Sequence, residues 1–467
     1  MSGGSINAGG KGWTPGGVRE VWKIAAPIVV STASMTLMEF ADRIFLARHD
    51  ALELRAALPA GMLSLTMALF FSTLAGYSGT FVAQYFGAGR KRECARATAQ
   101  GLWAGLLTWP LMAALIPLGW ACFRWAGHEA ALAAKENVYF TILMAGGGMM
   151  NLNTVLAGFF AGLGDTKTPM RANLAANLLN VVLDYALVFG AWGFPEWGIA
   201  GAAAATVASG AFGTAWMAVA YYGRRRLREE YGTLREWRLR IGEMGHQFRF
   251  AVAGAVHAVM DTGSFAFFLA LTGRLPAAAA AANNIAFSVN SVAFMPLMGM
   301  GIAAQILTGQ YQGARDSRTA AKAAGTALKM SMAYMGVVCL TFCLFPDAYF
   351  ALFAGNEGGK GVALADIVET GRTLLLLLGL WGMADGAGIV LSGALKGAGD
   401  THFVLWYSML ANWGLWIPSA LWAAWRFGDE ALLPLWWTLM GCVVVVGAGM
   451  GVRFWRGKWK VIDMIGD

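Results

Sequence analysis

Between Arg171 and Gly190 the chain reads RANLAANLLNVVLDYALVFG, a stretch long and apolar enough to cross a bilayer that still carries Asn173, Asn177, Asn180 and Asp184. At helical spacing these four side chains fall within an arc of roughly 60° and climb about 16 Å of helix axis. A charge at the bilayer centre costs about 2.5–3.5 kcal/mol on insertion scales, so such a stripe must face protein or water. Two chemistries fit it. Asparagines supply interhelical hydrogen-bond glue. A carboxylate adds the reversible binding of a proton or cation. Other apolar runs also hold acids: Asp42 in MEFADRIFLAR, Asp261 in VHAVMDTGSFAF and Asp385 in LWGMADGAGIV. No lysine or arginine lies inside the runs holding Asp184 or Asp261, so neither has a local counter-charge. Glu39 differs, because Arg43 follows at the four-residue spacing of a helical ion pair, a structural arrangement. His257 stands one turn before Asp261, as a core histidine or a proton relay.

Enzyme signatures are absent. The chain has no P-loop, no HExxH and no GxSxG, and its five histidines are scattered. Without a nucleotide site, uphill transport would draw on an ion gradient, and intramembrane acids that load and release a proton or Na⁺ are what such coupling needs. No cofactor is expected beyond that ion. An integral-membrane enzyme, the reading from another class, would need a cluster of ligands or nucleophiles that the sequence does not offer.

The elements that position these acids are membrane helices. Of 467 residues, 57% are hydrophobic and 13% charged, against about a quarter charged in a soluble domain. Twelve runs reach spanning length, at about 21–46, 57–86, 98–121, 137–161, 170–191, 199–222, 247–272, 280–308, 324–346, 369–395, 402–425 and 431–452. Twelve spans put both termini on one side, and that side's loops hold the basic excess, including RRRLREEYGTLREWRLR at 224–240. Both termini are therefore expected in the cytoplasm, in a multi-pass protein of the cell inner membrane. The 224–240 cluster suits anionic lipid better than nucleic acid, and no nucleic-acid partner is expected. Cys94, Cys122, Cys339, Cys343 and Cys442 form no CxxC and read as core thiols. The first apolar run lacks a small-residue cleavage site, so no cleavable leader is expected.

Two segments recur. QYFGAGR at 84–90 returns as QYQGARD at 310–316, and GLGDT at 162–166 returns as GAGDT at 397–401. Six spans separate the copies, so their membrane orientation matches, as in a parallel repeat. The expected architecture is all-α: residues 1–17 a disordered tail, 18–222 one six-helix lobe, 223–246 a basic cytoplasmic loop, 247–452 a second six-helix lobe and 453–467 a cytoplasmic tail. Shifting by 235 residues sets Ser408, Asn412, Leu415 and Ser419 opposite the four polar residues of the first stripe. The second stripe has no carboxylate, which leaves that lobe's acids to Asp261 and Asp385.

From Val18 to Val452 the chain resembles the multidrug and toxic compound extrusion (MATE) family. The segments that carry the likeness, in order, are IAAPIV, FADRIFLAR, FVAQYFGAGRKRE, GLGDTKTPM, NLLNVVLDYALVFG, GIAGAAAATVAS and MADGAGIVLSGALKGAGDT. The resemblance implies a V-shaped pair of six-helix lobes around a central cavity, working by alternating access. It implies export of cationic or amphipathic compounds in exchange for H⁺ or Na⁺. Asp42, Asn180, Asp184 and Thr206 match the family's first-lobe cation site, with Asn177 beside them. Asp261 and Asp385 match acidic positions of the second lobe, so Na⁺ at the acidic sites is one alternative. Pro27 matches a proline at which the first helix bends in some members, by losing a backbone hydrogen bond. Glu39, Tyr139, Asn153, His257, Asn283 and Asn284 are secondary site candidates.

The sequence departs from the family at Asp42-Arg43, where Asp-Thr is expected, at Glu39, usually small or apolar, and at Asn283-Asn284, where a His-Gln pair is common. Twenty-four methionines and 12% aromatic residues suit a cavity for varied apolar shapes or ordinary packing. An acidic interior favours small organic cations over lipid-linked saccharides, whose flippases in the same superfamily need arginines for pyrophosphate. A monomer in contact with membrane lipid is expected.

Overall fold

The computed structural model describes residues 14–353 and 364–466. Thirteen residues of the tail expected over 1–17 lie outside that range; Thr14 to Gly17 form a turn in which Gly17 N donates to Thr14 O at 2.9 Å. The described residues hold helices and no strand. In the first half these are α1 (Val18–His49), α2 (Ala51–Gly76), α3 (Ser78–Gly87), α4 (Lys91–Ala114), α5 (Ile116–Trp125), α6 (Ala130–Gly162), α7 (Lys167–Val188) and α8 (Ile199–Gly223). In the second half come α9 (Ile241–Thr272), α10 (Ala277–Gly313), α11 (Ser317–Leu344), α12 (Pro346–Phe353), α13 (Leu364–Gly397), α14 (Thr401–Met409), a π-wound stretch (Leu410–Trp416), α15 (Ile417–Phe427) and α16 (Leu432–Trp455). Ten of the resulting rods are long and apolar enough to cross a bilayer. The two others are α7, diluted by its polar stripe, and 401–427, broken by its π turn. With them the chain is an all-α membrane protein of twelve spans in two sets of six.

By packing, the chain divides into a unit containing Val30–Val259 and a unit containing Met260–Gly466 together with the described residues from Thr14 to Val29. The divisions therefore fall inside α1 and α9, and the one in α1 comes two residues after Pro27. In the second unit, the start of α1 is held by Glu20, which is buried and accepts Gly16 N at 2.6 Å and the Tyr311 hydroxyl at 3.0 Å.

Both units reuse one packing device. In the first, α3 and α6 approach so closely that a Cβ on Gly79 would sit 2.8 Å from the Gly158 Cα. In the second, a Cβ on Gly393 of α13 would sit 2.4 Å from the Gly301 carbonyl oxygen of α10. Small residues let backbones touch where lipid supplies no hydrophobic drive between helices. The turns recur too. Gly164 and Gly399, within the repeated GLGDT and GAGDT, both take left-handed φ (80° and 93°), which lets the chain leave one helix and enter the next. The following acids each receive an arginine from the end of their unit's sixth span. Arg224 donates to Asp165 at 3.0 Å, and Arg453 grips Asp400 at 2.7 and 3.1 Å. Asp316 caps α11 in the second copy of the other repeat, and the Thr319 hydroxyl holds its carboxyl below the usual carboxylate range.

The basic stretch after α8 is folded onto α4. Trp103 Nε1 donates to the Trp237 carbonyl at 2.8 Å, and Gln100 bonds the backbone at both Arg238 and Arg240. Lys91 meets Glu230 at 2.6 Å and keeps that carboxyl below its ordinary range. Arg225 and Arg226 stay exposed, each beside a glutamate one turn on.

Candidate functional site

The GLGDT turn starts α7 by supplying acceptors to its orphan N–H groups: Asp165 accepts from Thr168 N at 3.2 Å and from the Thr168 hydroxyl at 2.6 Å. From there the polar stripe of α7 runs along α1 and bonds it three times. Asn173 Nδ2 donates to Ser31 Oγ at 2.9 Å, and Asn177 Nδ2 donates to Ser34 Oγ at 2.8 Å. One turn further, Asn180 and Asp184, both fully buried, meet Asp42. In the orientation that satisfies both ends of its amide, Asn180 donates to Asp42 Oδ1 at 3.1 Å and Asp184 Oδ2 at 3.3 Å. Its carbonyl oxygen accepts Thr206 N at 3.3 Å.

The stripe thus has two parts. Asn173 and Asn177 are fasteners between helices. Asn180 belongs to the acids. Asp42 and Asp184 come within hydrogen-bonding reach of each other, and because an ionised carboxylate only accepts, a direct bond between them requires a proton on one of the two. Asp184 Oδ1 is buried without a hydrogen-bond partner among the described residues. Thr206 contributes its backbone N–H, while its hydroxyl donates to Ala202 O on its own helix at 3.0 Å. Tyr139 on α6 and Glu39 on α1 lie within electrostatic reach of the pair. Arg43 acts on Glu39 through charge, without an ion pair within 4.0 Å. Asn153, four turns along α6 from Tyr139, faces α8 instead, where a Cβ on Gly213 would sit 3.4 Å from its amide nitrogen.

In the second unit, Asp261 of α9 accepts from Asn412 Nδ2 at 3.3 Å, in the π-wound stretch. Such local unwinding frees backbone groups and is frequent at functional sites. Asp385 of α13 is near enough for its charge and that of Asp261 to act on each other. So is Lys396, at the end of α13. Asp261 has no counter-charge within its own span, and the cation that acts on it comes from another span, which sequence distance conceals. The remaining candidates stand apart. Asn283 is buried between Thr272 and Trp436, donating to the first at 3.1 Å and accepting from the second at 3.0 Å. Asn284 is exposed on α10, and His257 falls on the first unit's side of the division in α9.

Ser31 and Ser34 were not singled out in the sequence. Their three-residue spacing on α1, opposite asparagines four apart on α7, is the signal that finds them.

The MatE family model matches the chain twice, over residues 27–186 and 255–422. A multidrug resistance protein NorM of Burkholderia vietnamiensis is 30% identical over 336 residues, covering 70% of each chain. A probable multidrug resistance protein NorM of Brucella suis is 26% identical over 445 residues, covering 93% of this chain and 92% of its own. Among solved structures, the outward-facing conformation of a multidrug resistance MATE family transporter of the MOP superfamily superposes with a TM-score of 0.84 at 19% identity, over 98% of this chain and all of that one. That likeness carries the fold.

Proposed function

This chain belongs to the multidrug and toxic compound extrusion family, whose members are transporters and not enzymes, and from that premise we propose that it exports cationic or amphipathic organic compounds by proton antiport. The observation that carries this reading is the meeting of the Asp42 and Asp184 carboxyl groups at the buried Asn180 amide, with Asp184 Oδ1 unpartnered among the described residues. A pair holding one proton carries one negative charge in a low-dielectric span. Uptake of a second proton removes that charge and the donor–acceptor pattern with it, which repacks α1 against α7. Pro27, in the same helix, provides a place to bend. Alternating access follows if the neutral and charged pairs favour different packings.

The choice of proton over Na⁺ rests on the closeness of the two carboxyl groups, both within 3.3 Å of the terminal amide of Asn180. A proton on one of them relieves two like charges this close and needs no further oxygen ligands, which a hard cation would. The names of the relatives support a multidrug substrate range, and the acids support cations within it. The lysine and arginine bias supports cytoplasmic termini in the bacterial inner membrane, and nothing in the mechanism calls for more than one copy.

The test is efflux of ethidium from proteoliposomes with pH and Na⁺ gradients imposed separately. The pH gradient alone should drive wild-type export, and Asp184→Asn should reduce it to background. Export driven by Na⁺ alone, or wild-type rates in Asp184→Asn, would overturn the reading.

A further inference from the structure

Beyond the acid pair, α1 ends in a second cluster of titratable groups. His49, its last residue, points Nδ1 at Glu53 Oε2 at 2.8 Å and Nε2 at Glu196 Oε1 at 2.9 Å. Glu53 belongs to α2, is 2% exposed, and has its other oxygen 2.6 Å from Lys135 of α6. Glu196 lies in the loop joining α7 to α8 and is 66% exposed. Just past the end of α7, the Phe189 ring lies 5.9 Å from that of His49. Asp50, next to His49, is engaged in capping α2 through Leu52 N. Gly198 brings the loop in: it has a φ of 53°, and a Cβ there would sit 2.4 Å from Glu53 Oε1.

We propose that His49, Glu53 and Glu196 form a pH-sensitive clasp that holds the α7–α8 loop against the ends of α1 and α2 while the imidazole carries both protons. Carboxylates accept and cannot donate, so each of the two short contacts needs an N–H, and only the imidazolium has two. The four groups then balance, two cations against two anions. When His49 loses a proton, one contact must fail. Glu53 is buried and already anchored by Lys135, so the neutral ring keeps its N–H there. Its Nε2 lone pair then faces the exposed Glu196 carboxylate, and the loop lets go.

The clasp lies close to the exchange chemistry. Asp42 is two turns earlier on α1, about 10 Å along the axis. Between them is a small apolar layer that includes Leu46, Ala56, Leu132, Val188 and Ile199. Val188 and Ile199 flank the clasped loop, so its release loosens the layer that separates the acid pair from this end of the unit. In the proposed topology, on which this last step rests, that end faces the outside. External acid then closes the seal and limits proton entry, and a rise in pH opens it.

The loop can be read without transport. A spin label at Phe194→Cys, a side chain about half exposed, is placed in the full-length chain with its five cysteines replaced. It should pass from an immobile to a mobile spectrum in a one-proton transition centred above the ordinary imidazole value of about 6.5, because Glu196 and Glu53 hold the proton on His49. His49→Gln should abolish that transition. Glu196→Gln should too, since an amide can meet either form of the ring. A flat wild-type spectrum, or a transition that survives both substitutions, overturns the clasp. In proteoliposomes the same substitutions should remove the slowing of exchange at acid external pH. An unchanged pH profile beside an intact spectral transition overturns the gating step. Absence of all proton-driven export in the wild type counts against the antiporter reading, while the spectra still decide the clasp.

Discussion

The two repeats tie their fifth span to their first through equivalent asparagines that meet different partners. In the first unit Asn177 of α7 donates to Ser34 of α1 at 2.8 Å; in the second Asn412 donates to Asp261 of α9 at 3.3 Å. The asparagines are offset by 235 residues and their partners by 227. Asp261 therefore occupies the place of a serine, and the first unit's acid, Asp42, lies two turns further along its helix. Fastening and titration are separate along the α1–α7 seam and coincide on the second. Asp42 faces a second carboxyl group across a regular α-helix. Asp261 faces an asparagine in a π-wound stretch, with Lys396 within reach of its charge. A duplicated scaffold can hold two unlike acid clusters when one acid lies two turns away from its counterpart's place.

The sharpest way to break this comparison is to remove one acid from each site. Asp184→Asn should lower proton-driven export by about 10²-fold or more, the scale of losing a proton-transferring group. Asp261→Asn should lower it less, because Asp385, the acid whose charge acts on Asp261, remains. Equal losses in ethidium efflux would mean that both sites load in one obligatory step. Lys396→Met comes next, with a fall of about tenfold, or roughly 1.4 kcal/mol in barrier. Lys396→Arg should preserve most of the rate. A rate that ignores both changes would remove the lysine from the second site.

Much of the first site was legible because its signal is local. Four polar residues at helical spacing define a face, and an apolar run around them defines where the face must lie. Asp42 and Asp184 could be paired in advance only through the family resemblance, since nothing in spacing joins residues from separate spans. The fold was legible for the same reason as the stripe: length and apolarity decide a membrane helix. Partner choice was not. Ser34 takes Asn177 away from the acids, and Lys396 brings a charge to Asp261, through interhelical geometry that periodicity does not encode. The boundary within α1 was hidden too, because a continuous helix carries no composition break where its packing partners change.

A smaller effect separates the repeated turns. Arg453 holds Asp400 with two bonds, with side chains 23% and 6% exposed, whereas Arg224 reaches Asp165 with side chains 46% and 37% exposed. Arg453→Ala should cost about 2 kcal/mol, as a charge-assisted bond to a largely buried acid. Arg224→Ala should cost about 1 kcal/mol or less, in line with screened surface pairs. Thermal melting in detergent distinguishes them, and a larger cost for Arg224 would show that the turns do not differ as their geometry implies.

The finest test sets the two asparagines against each other. Asn177→Ala removes one neutral hydrogen bond to Ser34, and Asn412→Ala removes a longer bond to an exposed carboxylate. Screening offsets the extra strength that charge would give the second bond, so each substitution should cost about 1 kcal/mol of stability. Their effects on transport should diverge. Losing the Asn412 donor alters the group that stabilises ionised Asp261, so the pH profile of export should move, while Asn177→Ala leaves that profile in place because Ser34 does not titrate. A profile that moves equally in both variants would mean the α1–α7 fasteners take part in proton binding, and that fastening and titration are not separated in the first unit.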